Sequence, residues 1–102
     1  MKDFKLSSED IDDFLENKKW LIHSLIIKGI KKCIDEGLDE IIIFRIINLS
    51  EDYLMTTILK KMEWVSSLNK CLEFYKDIEE YEKCLEIQKL LKKIEDGNTK
   101  TN

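Results

Sequence analysis

Apolar positions recur along much of this chain at steps of three and four residues, the spacing of an α-helix with one buried face. The first stripe runs through Ile11, Phe14, Leu15, Ile22, Leu25, Ile26, Ile30, Cys33 and Ile34. Ser7 and Ser8 stand before it, where a hydroxyl can accept from a free amide, and Glu9 and Asp10 follow at the positive end of the helix dipole. Lys31 and Lys32 precede Gly37, a residue suited to the left-handed position just past a helix. A first helix is therefore predicted over 8–36. Near Glu16 to Lys18 the stripe is interrupted by Asn17, Lys18 and Lys19, which leaves room for a kink or a break in this helix.

A second stripe, Leu54, Ile58, Leu59, Met62, Val65, Leu68, Leu72 and Tyr75, follows the cap and turn signal of residues 48–52 and predicts a long helix over 51–77. Around Asp77 to Glu80 the phase slips, and Tyr81, Cys84, Ile87, Leu91 and Ile94 begin a new stripe. This predicts a last helix over 79–96, joined to the long one by a tight turn as a hairpin. Gly97 is expected to stop it, leaving 97–102 as a flexible polar tail.

Between these lies the most apolar stretch, with Ile41, Ile42, Ile43, Phe44, Ile46 and Ile47. β-Branched residues favour strands, yet a short apolar run fits a strand or a buried helix equally well by periodicity. No second stretch reads as a strand to pair with it, and a lone strand leaves its backbone groups unsatisfied. The expectation is a short buried helix over 38–48, with Asp39 and Glu40 in its first turn. The fold class predicted is all-α: one domain, 1–102, built as a small antiparallel bundle of four helices, or five if the first one breaks.

Composition supports helices: the 102 residues include no proline and three glycines, with 43% apolar residues. The formal charge of −4 means net repulsion from a phosphate backbone unless cations gather on one face. Residues 1–16 hold two lysines and six acids, and residues 17–37 hold five lysines and two acids. That gradient complements the dipole of the first helix. Three cysteines without a close pair fit free thiols in a reducing compartment. The N-terminus does not read as a signal peptide, and the longest apolar runs fall short of the roughly 20 residues that span a bilayer. A cytoplasmic location without a membrane segment is expected.

Candidate chemistry is sparse. His23, Cys33, Cys71 and Cys84 have the donor types of a zinc site, but they are scattered along helical stripes where cysteine packs as a small hydrophobe. A cysteine nucleophile would need a base, and only His23 is available. The paired acids Asp12-Asp13, Glu51-Asp52 and Glu79-Glu80 sit at helix starts, where they satisfy the dipole. No phosphate loop, dinucleotide fingerprint, zinc-protease helix or nucleophile elbow is present. The expectation is no enzyme, no catalytic residue, no metal and no cofactor. Lys18, Lys19, Lys28, Lys31 and Lys32, near Trp20, could make a nucleic-acid face, but a solvated helix face opposite the isoleucine stripe explains the same residues without a ligand and is the preferred reading. Trp64, off the second stripe, is the candidate for an exposed partner contact.

The hairpin's second half, from Glu79 to Ile94, resembles the UVR motif of the UvrB and UvrC repair proteins and Clp-type ATPases. Tyr81, Glu82, Lys83 and the small Cys84 match the opening of that motif's second helix, and Ile87, Leu91 and Ile94 match its apolar spacing. Gln88-Lys89 replaces the family's usual Arg-Asp pair. The resemblance covers about a third of the chain and implies docking on another protein, with Tyr81, Glu82 and Lys83 beside Trp64 at the contact. In style the chain is similar to small Ile- and Lys-rich phage and mobile-element products. The function expected is a non-enzymatic adaptor or regulator that docks a helix face on a partner protein. The alternatives are a nucleic-acid-associated regulator and a structural or homo-oligomeric assembly subunit.

Overall fold

The isoleucine-rich segment is a strand, and it lies at the centre of a three-stranded sheet. The computed structural model describes the backbone of residues 2–100 and the side chains of residues 2–97. In chain order the elements are β1 (Lys2–Leu6), α1 (Ser8–Asn17), α2 (Lys19–Glu36), β2 (Glu40–Asn48), β3 (Tyr53–Lys60), a single 3-10 turn (Lys61–Glu63), α3 (Trp64–Asp77) and α4 (Tyr81–Lys100). The sheet order is β1-β2-β3, with β1 parallel and β3 antiparallel to β2. The fold is α+β, which overturns the all-α bundle.

Two partner strands escaped the reading of the sequence, for different reasons. β1 is only five residues long, and three of them are charged, so it resembles a polar chain start. β3 was absorbed into the predicted 51–77 helix because Leu54, Ile58, Leu59 and Met62 also fit a helical stripe. In the strand, Tyr53, Met55, Thr57 and Leu59 face one way and Leu54, Thr56 and Ile58 the other, so both faces are largely apolar and the alternation has no contrast. With partners on both sides, the predicted 38–48 helix becomes β2, whose β-branched side chains suit a pleated surface.

The helices follow their local signals. Ser7 caps α1, its hydroxyl accepting from the Asp10 amide at 3.2 Å. The predicted first helix is divided at Lys18, whose amide donates to the Phe14 carbonyl at 3.1 Å while its own carbonyl accepts from Leu21 and Ile22. Gly37, with φ of 68°, closes α2. α4 runs through Gly97 to Lys100, so no stop occurs at Gly97, and the final two residues of the expected tail lie outside those described.

The core lies between one face of the sheet and the helices. Ile43, Phe44, Ile46 and Leu59 from the sheet meet Ile27, Ile30, Leu68, Cys71, Ile87 and Leu90 from the helices. A β-bulge between Ile42 and Phe44 turns both Ile43 and Phe44 toward this core. Phe4, Phe14 and Phe44 stack edge to face or tilted, with centroids 4.8 to 6.0 Å apart, and so tie β1 and α1 to the central strand.

Asn48, 1% exposed, is the buried polar group of this core. Its Oδ1 accepts from the amides of Ser50 at 2.8 Å and Glu51 at 3.0 Å, and its Nδ2 donates to the Ser8 hydroxyl at 3.2 Å. One side chain thereby shapes the β2–β3 turn and joins it to the start of α1. Replacing it with leucine leaves the turn amides without their acceptor, so Asn48→Leu is expected to cost about 2 kcal/mol and lower the melting temperature by roughly 10 °C. Asn48→Asp keeps the acceptor and should lose less in the same thermal melt. Equal losses would show that the turn bonds contribute little.

Candidate functional site

The cysteines and the histidine are placed by the helices. Cys33, Cys71 and Cys84 are all buried free thiols. Among the described residues, no three metal-ligating side chains converge on one point. The tertiary fold does join one pair that the sequence left apart. Nδ1 of His23, on α2, lies 3.2 Å from Sγ of Cys71, on α3, and the His23 carbonyl oxygen is a second acceptor at 3.8 Å.

This pair has the composition of a nucleophile and base but the wrong electrostatics. Burial pushes the Cys71 thiol up to about 12, so it stays protonated at neutral pH. Burial, with help from Lys19, pushes His23 below the usual imidazole value, so no imidazolium is there to stabilise a thiolate. The imidazole stacks against Phe74 at 4.7 Å, and the neighbouring Tyr75 hydroxyl donates to the Trp20 carbonyl at 2.9 Å. The arrangement joins α2 to α3.

Trp64 corrects an expectation. It is 4% exposed and belongs to the core, because α3 starts at Trp64 and its inward stripe is Trp64, Leu68, Cys71 and Tyr75. Among the described residues its indole Nε1 has no hydrogen-bond partner. Tyr81 and Glu82 are exposed at the start of α4, whereas Lys83 is half-buried and pairs with Glu86 at 3.7 Å. The hairpin's apolar stripes, through Cys71 and Tyr75 on α3 and Cys84 and Ile87 on α4, are used inside the core.

The five lysines of the predicted basic face are all exposed, but they do not act as a unit. Lys28 and Lys32, one helical turn apart, border a shallow depression together with Lys2 of β1. Leu25, Gly29 and Ile41 to Ile43 form the rest of its lining. Gly29 faces β2, where a Cβ would come into ordinary van der Waals contact with Ile41, 3.4 Å away. Lys18, Lys19 and Lys31 lie outside the depression. Lys2 was not among the residues singled out, because its neighbourhood depends on the parallel pairing of β1 with β2.

The larger unassigned surface is the sheet itself. Directly paired residues share a face, so Ile42 with Ile58, Ile47 with Leu54 and Lys5, and Arg45 with Thr56 and Asp3 line the face opposite the core. Leu54 is 53% exposed and Ile58 47%. Arg45 is held on this face by a bidentate pair to Asp3, with Nε and Nη2 each 2.9 Å from a carboxylate oxygen. The hydrogen-bonded guanidinium keeps the Asp3 carboxyl below its usual range. Sequence periodicity could not find this surface, since its residues were assigned to two helices and a chain terminus.

No family model, curated protein or solved structure matches the chain. Its function is therefore argued from its own surfaces. Among the described residues, no helix is long and apolar enough to cross a membrane.

The histidine gives a test of the interior. Folded His23 binds its proton more weakly than the unfolded residue, so unfolding takes up a proton and stability falls as pH drops below about 7, levelling off beneath the folded value. His23→Phe keeps the ring contact with Phe74 and cannot titrate. Its melting temperature should decline less than that of the natural chain between neutral and mildly acidic pH, and parallel declines would remove His23 as the cause.

Proposed function

We propose that this chain is a non-enzymatic protein-protein interaction module, an adaptor or regulator, whose contact surface is the open face and free edge of its sheet. The observation that carries this reading is the set of exposed apolar side chains, Ile42 and Ile58 on one side of the Arg45–Asp3 pair and Leu54 on the other, on a sheet face that none of the described helices covers. Sheet faces and edges left open in this way are common docking sites for extended segments. The contact therefore moves from the helix face expected from the UVR resemblance to the sheet. Ile78, Tyr81 and Leu85, exposed around the hairpin turn, remain a smaller helical surface for the same role.

A nucleic-acid-associated role has one favouring observation, the grouping of Lys2, Lys28 and Lys32 around one depression. If that group binds a phosphate backbone, affinity for DNA or RNA should fall steeply with salt, and Lys28→Ala with Lys32→Ala should flatten the slope by about two. Binding that is absent at low salt removes this reading.

The interaction reading is tested by position-specific photocrosslinking in cells producing the chain. A benzophenone amino acid at Ile42 or Ile58 is expected to give discrete covalent adducts, while the same group at exposed Glu73 on α3 gives none. Folded protein without adducts from either sheet position would overturn the assignment of the surface.

A further inference from the structure

β3 is a free edge, and it lacks the features that ordinarily protect one. The opposite edge, β1, carries Lys2, Asp3 and Lys5 within five residues. From Tyr53 to Leu59, β3 has no charge, no proline and no glycine. An exposed, uncharged edge of seven residues presents unpaired amides and carbonyls to any strand that fits it.

Two hydrogen bonds show which groups face outward. The Lys61 amide donates to the Asp39 carbonyl at 2.8 Å, toward β2, whereas the Lys60 amide turns away and donates to Oε1 of Glu63 at 3.1 Å. Backbone groups of successive residues in an extended strand point alternately to either side. The amides and carbonyls of Leu54, Thr56 and Ile58 therefore face the open edge, and Glu63 closes that edge at Lys60.

We infer that the occupant of this edge is a second copy of the chain, paired antiparallel through β3 about a two-fold axis at Thr56. This rests on the reading of the sheet as the contact surface and names its partner. A two-fold antiparallel ladder must be centred on a residue whose groups face outward and must set like faces of the sheet beside each other. Centring on Thr56 meets both conditions. Thr56 meets the partner's Thr56, and Leu54 meets the partner's Ile58 on the open face. On the other face Tyr53 comes opposite the partner's Leu59, whose side chain its own core buries, and Met55 comes opposite the partner's Thr57. The central threonine pair is of a type that stabilises neighbouring strands, and Leu54 with Ile58 places apolar against apolar. At each end Asp52 comes opposite the partner's Lys60, with opposite charges. Centring on Ile58 instead sets Thr56 against Lys60, whose amide Glu63 already occupies, and centring on Leu54 sets the strand against the β2–β3 turn. The two sheets become one continuous sheet of both copies.

Cysteine scanning reads this register directly, because the three natural thiols are buried and should not compete. Hydrogen-bonded antiparallel partners have Cα atoms about 5.5 Å apart, within disulfide reach. Under mild oxidation Thr56→Cys is expected to form a covalent dimer. Leu54→Cys and Ile58→Cys should each give no disulfide-linked dimer alone but form one when mixed. Thr56→Pro removes an outward amide without touching the β2–β3 ladder, and should weaken self-association in sedimentation by at least roughly tenfold with an unchanged circular dichroism spectrum. A strict monomer up to several hundred micromolar, or a disulfide from Leu54→Cys or Ile58→Cys alone in place of Thr56→Cys, overturns the proposal. Photoadducts at Ile58 with twice the chain's mass support it. Adducts of another mass from a monomeric chain reject self-pairing and leave the interaction reading standing, whereas absence of any adduct rejects both.

Discussion

The pairing of β2 on both sides is the constraint on which the rest of this structure depends. Six of its nine residues are apolar, and its backbone amides and carbonyls point at both neighbours, so the strand can be buried only if two other strands accept its hydrogen bonds. β3 does so as the second arm of a hairpin. β1 does so from the far end of the α1–α2 segment, in a parallel arrangement that requires a long crossover. The chain before β2 is therefore organised as a strand, two helices that carry the chain back, and a return to the same sheet.

That arrangement accounts for the asymmetry of the molecule. The helices cover one face, where Phe44 and Ile46 meet the stripes of α1 and α2 and the hairpin of α3 and α4 completes the core. A three-stranded sheet packed on one side retains a second face and two edges. β1 protects its edge with charge and, through Asp3, anchors Arg45 of β2 on the open face. β3 has neither device, and it leaves about half of Leu54 and Ile58 open to solvent. Local sequence choices that do not serve the fold of a single molecule are where contact surfaces are to be sought.

The interior polar groups serve cohesion. Asn48 satisfies the turn amides that a hairpin leaves open, and the contact between His23 and Cys71 joins two helices through groups that are both neutral at physiological pH. A buried thiol is a poor nucleophile because desolvation disfavours its anion. The one arrangement in the chain that resembles a catalytic pair is thereby set to remain a packing contact.

What the sequence by itself determined is local. The serine cap before α1, the break at Lys18, the left-handed Gly37 after α2 and the hairpin turn near residue 78 all rest on interactions within a few residues, and all were legible there. The identity of the chemically distinctive residues was legible as well, but not the closeness of His23 to Cys71, which lie 48 positions apart. Only the tertiary structure decided that Ile41 to Asn48 is a strand, because a strand exists through partners, and these were a charged pentapeptide and a segment whose apolar residues fit either period. It likewise decided that Trp64 is buried, since moving the start of α3 from residue 51 to residue 64 turns that side chain inward. The open sheet face followed last. It is a property of which strands pair and which side the helices choose, and neither is written in the spacing of any one segment.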